Sequence, residues 1–155
     1  MRIRRAEHKD MDGLNRLLRQ VLDVHHKGRP DLFKGGVKKY TDAELADIID
    51  DNSRPICVAV NAQEQVLGYC FCIFNQLQDN IMTNVKTLYI DDLCVDERCR
   101  GQYIGSDLYQ FVRAFAKEQG CYNLTLNVWA LNPGAIKFYE KCGLLPQKYC
   151  METIL

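Results

Sequence analysis

The residues best suited to chemistry fall in three stretches. The first is Leu88-Tyr89-Ile90-Asp91-Asp92-Leu93-Cys94-Val95, an apolar strand carrying two carboxylates. After Asp96 to Cys99 it continues as Arg100-Gly101-Gln102-Tyr103-Ile104-Gly105-Ser106. A buried strand that runs into a glycine turn and then a helix leaves backbone N–H groups unpaired at the positive end of the helix dipole. Such a turn suits an anion, a pyrophosphate above all, although alone it is just as well a tight connection. Asp91 and Asp92 are neighbours in an extended segment, so their side chains point to opposite faces unless a bulge intervenes, and only one faces a cleft. Either could be a base or substrate anchor; either could equally cap a loop or pair with an arginine. The second stretch, Asn132 to Leu144, is a capped helix with proline at its first position, and it carries Tyr139. A tyrosine in an apolar helix is, in most proteins, a core or interface residue. The third is the loop with His25, His26, Lys27, Arg29, Asp31, Phe33 and Lys34. Adjacent histidines can act as bases or hold a carboxylate, yet cations at a helix C-terminus are also favourable for the dipole alone.

The elements that must position these residues follow from periodicity. Met1 to Arg5 reads as a short strand. Asp10 is placed to cap a helix with Leu14, Leu17, Leu18, Val21 and Leu22 at helical spacing, stopping near His25 and His26 before Gly28-Arg29-Pro30. Thr41 and Glu44 form a capping box for a second helix with Leu45, Ile48 and Ile49 on its buried side. Strands follow at Ile56 to Val60, Val66 to Phe74 and Val85 to Val95, the first two joined as a hairpin. A helix then presents Ile104, Leu108, Phe111, Val112 and Phe115, and Gly120 closes it. A strand from Tyr122 to Trp129, the helix from Pro133, and a last strand or two in Leu144 to Ile154 complete the order β-α-α-β-β-β-α-β-α-β. The strand–helix–strand unit demands a parallel step, so the expectation is one α/β domain over residues 1–155. Its mixed central sheet has helices on both faces.

Composition narrows the classes. The 155 residues are 47% hydrophobic and 26% charged, with 20 basic and 20 acidic side chains. That profile fits a globular domain long enough to bury a core, and it lacks the positive excess typical of nucleic-acid binding. No apolar run reaches bilayer length, and the charged start is not followed by a signal-like stretch, so no membrane partner and a cytoplasmic location are expected. The cysteines lie mostly in apolar strand-like runs without Cys-x-x-Cys spacing. They are expected to be reduced core thiols, with no metal.

The two motifs together resemble the GNAT superfamily of N-acetyltransferases. Its pattern is a strand ending in Val, an Arg/Gln-x-x-Gly-x-Gly/Ala turn, and later Asn-x-x-Ala-x-x-Phe-Tyr-x-x-x-Gly-Phe. This chain matches at Val95, Arg100 and Gly105, then at Asn132, Ala135, Phe138, Tyr139 and Gly143, with Leu144 in place of Phe. The resemblance is close from about Leu88 to Leu145. Within the superfamily, the Leu88 to Val95 strand looks like that of the diamine acetyltransferases. One departure stands out: Tyr103 replaces the first glycine of the turn. A position requiring positive φ would strain it, and the expectation is that the residue is already helical, its side chain turned away and its N–H still donating.

The resemblance implies acetyl-CoA as co-substrate and an amine as acceptor. An alkylamine with a pKa of about 10.4 must lose a proton, the tetrahedral oxyanion needs a donor, and a thiol of pKa about 8.5 leaves more readily if protonated. By resemblance, Tyr139 is the proton donor, the Leu93 N–H the oxyanion donor, and Asp91 the base or anchor, with Asp92 as substitute. The backbone of Leu93, Cys94 and Val95 would bind pantetheine as an added strand would. Arg100, Gly101, Gln102, Tyr103, Ile104, Gly105 and Ser106 would hold the pyrophosphate, with Asn132, Ala135 and Phe138 completing that side. His25, His26, Arg29, Phe33 and Asp92 would frame a small-molecule amine. The alternatives are a peptide N-terminal or lysine acetyltransferase and a non-catalytic acyl-CoA sensor. The apolar C-terminal residues, with Tyr149 and Met151, could sustain a homodimer, as relatives do.

Overall fold

The computed structural model describes residues 1–76 and 81–155. The elements, in order, are β1 (Arg2–Arg5), α1 (Met11–Gly28), α2 (Asp42–Asp50), β2 (Ile56–Val60), β3 (Val66–Gln76), β4 (Lys86–Val95), α3 (Ile104–Glu118), β5 (Asn123–Leu126) and α4 (Pro133–Lys141). The strands form one sheet in sequence order, antiparallel from β1 to β4 and parallel between β4 and β5. Helix α3 is the crossover that a parallel step requires.

Two apolar layers sandwich this sheet. On one face Leu14, Leu17 and Leu18 of α1 and Leu45, Ile48 and Ile49 of α2 pack on Ile56, Val58, Val60, Tyr69 and Phe71. On the other, Ile104, Leu108, Val112 and Ala116 of α3 pack on Cys57, Ala59, Cys70, Cys72, Leu88 and Ile90. Successive β2 residues alternate between these layers, which is why that strand is buried throughout. The cysteines are free thiols; those at 57, 70, 72 and 94 are buried and fill space between sheet and helix. No described helix is long and apolar enough to cross a membrane.

The caps are settled locally. Thr41 and Glu44 make the expected reciprocal box, and Asn132 accepts from the Ala135 amide beside Pro133. Asp10 differs from expectation. It makes no cap bond to α1, because its carboxylate accepts from the Glu7 amide and from Arg4 in a buried ion pair, closing the 3-10 turn His8–Asp10 instead.

Two further expectations are corrected. The strand expected in Leu144 to Ile154 does not form; among the described residues the sheet ends at β5. Leu145, Tyr149, Met151 and Ile154 are exposed, so this segment buries no alternating face of the kind a strand needs. Arg29 ties the segment to the end of α1 through an ion pair with Glu152. The second correction is Tyr103. It precedes α3 in the left-handed conformation, φ 62°, rather than in the helix. Its ring is 78% exposed, so no packing interaction holds it there.

Candidate active site

The site begins with one irregularity in β4. The β3–β4 ladder pairs Phe71 with Asp92 but the next residue, Cys72, with Ile90, leaving Asp91 as an extra residue in a bulge. Ile90 before it packs on the α3 side, while Cys94 after it packs on the α1 side. The bulge therefore sends Asp91 and Asp92 to the same side of the sheet, contrary to the expectation that only one could face the cleft. Lys39 Nζ lies 3.4 Å from Asp91 Oδ2 and 3.3 Å from Asp92 Oδ2.

The same strand supplies a free backbone edge. The Asp96 amide donates to the Leu67 carbonyl, which makes that pair a hydrogen-bonded one in the antiparallel ladder. Alternation then turns the amides of Cys94 and Asp92 toward β3 and those of Val95 and Leu93 away from it. On that outer side β5 pairs only as far as Ile90 with Leu126. Leu93 and Val95 thus present backbone groups to a gap where the parallel strand has ended. Cys94 does not share this edge, since its backbone faces β3 and its thiol points at the Leu17 carbonyl.

Beyond Val95 the chain makes the turn that opens α3. Asp96 is buried and holds this corner, accepting from the Arg98 amide and side chain and from Arg16 of α1. Those donors depress its pKa well below the usual carboxylate range. Gly101 has φ 80°, and the amides of Tyr103, Ile104, Gly105 and Ser106 make no backbone hydrogen bond to any described residue. These amides sit at the positive end of a helix of four turns and remain free to bind an anion. The Ile104 side chain is buried, so that residue contributes its amide only, while Gln102 and Arg100 are exposed. A Cβ on Gly105 would lie 3.4 Å from both Phe138 and Val95, and this close approach packs α4 over the turn and the end of β4. Asn132 and Ala135 serve that helix's cap, and Phe138 its packing, so these three position α4.

Helix α4 brings Tyr139 into the gap. Burial raises its pKa, with further pushes from Cys70, Asp92, Cys142 and Cys94, which locates the phenol beside β3 and β4. Its hydroxyl makes no hydrogen bond to any described residue and stays protonated at neutral pH. Burial likewise raises the Asp92 pKa, opposed by Lys39 and by the Tyr69 hydroxyl, which donates to Asp92 at 3.0 Å. A carboxylate tuned upward is a better base than an ordinary one. For Lys39 burial works against the charge, but Asp92, Tyr40 and Asp91 outweigh it and keep the ammonium protonated.

A second group of side chains beside the gap comes from α1 and its following loop. His25 packs against Phe33 in a tilted arrangement at 4.9 Å between centroids, and Phe33 meets Trp129 edge-on at 5.3 Å. Val24, His25, Arg29, Phe33, Trp129 and Leu131 line a small cleft there. Burial lowers the His25 pKa, and the imidazole also feels Asp92 and Lys39, so this cleft adjoins the carboxylates. His26 does not join it: its Nδ1 lies 2.7 Å from the Phe33 carbonyl, and its ring packs against Gly35. Arg29 is held by Asp31 and Glu152. Lys27 and Lys34 are exposed. Lys39, Tyr69 and Trp129 were not singled out from sequence. A lysine in an irregular loop carries no local signal; a lone Trp after a β-strand gives a weak one. Among the described residues no group of three or more His, Cys, Asp or Glu could hold a metal ion.

With this geometry in view, comparison with known proteins is informative. The profile of the Acetyltransferase (GNAT) family matches residues 20–144. The chain belongs to that family. A tetramutant of the BH1408 protein from Bacillus halodurans has a similar structure over 100% of both chains, with 30% identity and a TM-score of 0.95. A glucosamine 6-phosphate N-acetyltransferase of Arabidopsis thaliana is 37% identical over 59 residues, which is 38% of this chain and 38% of that protein. The match thus spans well under half of that curated relative. A crystal structure of glucosamine-6-phosphate N-acetyltransferase from the same plant has a TM-score of 0.72 at 24% identity, covering 99% of this chain and 97% of that one, and shows the shared fold. In the GNAT fold of this chain, the bulge, the free β4 edge and the α3 turn lie in sequence along one gap between β4 and β5.

Proposed function

We propose that this protein is an N-acetyltransferase that moves the acetyl group of acetyl-CoA onto the primary amine of a small molecule, by direct attack in a ternary complex. The observation that carries this reading is the convergence on one gap of a free backbone edge, a turn with unpaired amides, a half-buried tyrosine and a carboxylate whose side chain is 9% exposed. The turn amides of Tyr103 to Ser106 suit the pyrophosphate, and the Leu93 and Val95 edge suits the amide-bearing pantetheine arm. The Leu93 N–H is the donor for the developing oxyanion. Asp92, with Asp91 beside it, accepts the proton of the amine, and Tyr139 protonates the departing thiolate.

The acceptor side favours a cationic amine. Its carboxylates and aromatic rings suit an ammonium with an apolar body. The two cations that line it are already engaged, Lys39 by Asp91 and Asp92 and Arg29 by Asp31 and Glu152, while Lys27 and Lys34 lie exposed on the loop. A phosphorylated amino sugar of the kind named for the plant relative would need a free cation there.

Thiol release from acetyl-CoA, measured against polyamines, amino acids, aminoglycosides, glucosamine 6-phosphate and short peptides, tests this. Turnover with cationic small amines is the expected result. Acetyl-CoA binding without turnover on any acceptor would replace the enzyme with a sensor, and peptide-only turnover would move the acceptor class.

A further inference from the structure

Lys39 reaches the reacting groups from the loop that joins α1 to α2. Its side chain is 28% exposed, and its Nζ rests within 3.4 Å of Asp91 and 3.3 Å of Asp92. If those carboxylates receive the acceptor's ammonium, an amine of the chain itself already occupies the acceptor position. Asp92 interacts electrostatically with Lys39 and with Tyr139, so an amine and an acid both lie near the carboxylate proposed as base. The neighbouring Lys38 is exposed and instead pairs with Asp42 on α2. Two adjacent lysines on one loop therefore face entirely different surroundings.

We propose that Lys39 is acetylated in cis by this active site, making the chain its own acceptor when no amine substrate is present. The proposal rests on the transferase reading above. In the step, a carboxylate of Asp91 or Asp92 takes one proton from the Lys39 ammonium and later yields it to solvent. The Lys39 nitrogen forms the new N–C bond at the thioester carbonyl as the C–S bond breaks. The second nitrogen proton, relayed through Tyr139, ends on the CoA thiol. Each event consumes one acetyl-CoA and leaves one Nε-acetyl-lysine. The product amide is neutral, so Asp91 and Asp92 lose their internal counter-ion and become available to an incoming cation. Self-acetylation would thereby open the acceptor site.

The test incubates the purified full chain with isotopically labelled acetyl-CoA and no acceptor, and follows each lysine by peptide mass spectrometry. Lys39 should be labelled about 100-fold faster than Lys38, a modest advantage beside known effective molarities. The rate per molecule should not change with protein concentration, and Tyr139→Phe should remove the advantage while background labelling of Lys38 persists. Labelling of Lys39 no faster than Lys38, or a rate that climbs with protein concentration, overturns the proposal. Thiol release with the amine panel on the same sample separates the two readings. Turnover of an amine with Lys39 unmodified sinks self-acetylation and leaves the transferase standing, whereas neither activity in protein that binds acetyl-CoA sinks both.

Discussion

The two banks of the cleft are made of different material. On the bank proposed for the co-substrate the groups that face the gap are backbone: the outer edge of β4 at Leu93 and Val95, and the amides of Tyr103 to Ser106. On the acceptor bank they are side chains from distant parts of the chain, namely His25, Phe33, Lys39, Asp91, Asp92 and Trp129. A backbone site can bind the same ligand whatever side chains surround it, so long as the turn and the strand edge persist. A side-chain site can change its ligand by a few substitutions. The contrast explains why family membership speaks clearly about acetyl-CoA and faintly about the amine.

The largest effect expected tests the one side chain proposed to act on the co-substrate bank. Tyr139→Phe should lower kcat by about 100-fold with KM for acetyl-CoA little changed, since general acid catalysis contributes at least that much. A loss confined to KM would make Tyr139 a packing residue. Asp92→Asn should lower kcat/KM about 30-fold, less than the usual loss of a positioned base because Asp91 stands beside it. In the parent protein the rate should fall as acidity protonates Asp92, and because burial raises that pKa the fall should lie above the ordinary carboxylate value of about 3.9. The stability sign is opposite. A raised folded-state pKa stabilises the protein below the unfolded value, and that contribution is lost as pH rises through the folded one. Asp92→Asn should therefore melt no lower than the parent at neutral pH. An equal loss of stability and activity would make Asp92 structural.

Asp96→Asn asks whether the backbone bank depends on a side-chain brace. It should destabilise by about 1.5 kcal/mol, since charged hydrogen bonds to Arg16 and Arg98 are weakened around a buried group. It should also weaken acetyl-CoA binding in titration calorimetry while leaving amine preference alone. The smallest effect concerns Tyr103. Tyr103→Gly relieves a left-handed residue and should stabilise by up to about 1 kcal/mol in thermal unfolding, without loss of acetyl-CoA affinity. A clear loss of affinity would show that the exposed ring, not only the amide, belongs to the co-substrate bank.

The same division decides what could be read from sequence. The capping box at Thr41, the proline-started helix at Asn132 and the apolar faces of α1 and α3 are local signals, and they place the layers. The glycine turn and the Tyr139 motif marked one bank because neighbouring residues build it. Lys39 was invisible, since only the folding of a loop onto β4 brings it to Asp91 and Asp92, residues more than fifty positions away. Asp10 misled for a related reason: a distant-looking Arg4 claimed its carboxylate before α1 could. The conformation of Tyr103 was misjudged because a tyrosine tells nothing of a backbone angle that the turn imposes on it. The C-terminal residues looked like a strand by composition, but a strand exists only where a neighbour accepts it.

The bulge at Asp91 also works as a change of reading frame. Upstream of it the α3-facing positions are Leu88 and Ile90, while downstream they are Leu93 and Val95. Deleting Asp91 would restore strict alternation while leaving Leu93 and Val95 on the α3 side and Cys94 on the α1 side, so only one carboxylate would remain at this point of the strand. The outward-facing amides of Leu93 and Val95 would keep their places in the ladder. The extra residue thus gives this side of the sheet its second carboxylate without disturbing the layers packed on the strand before and after it.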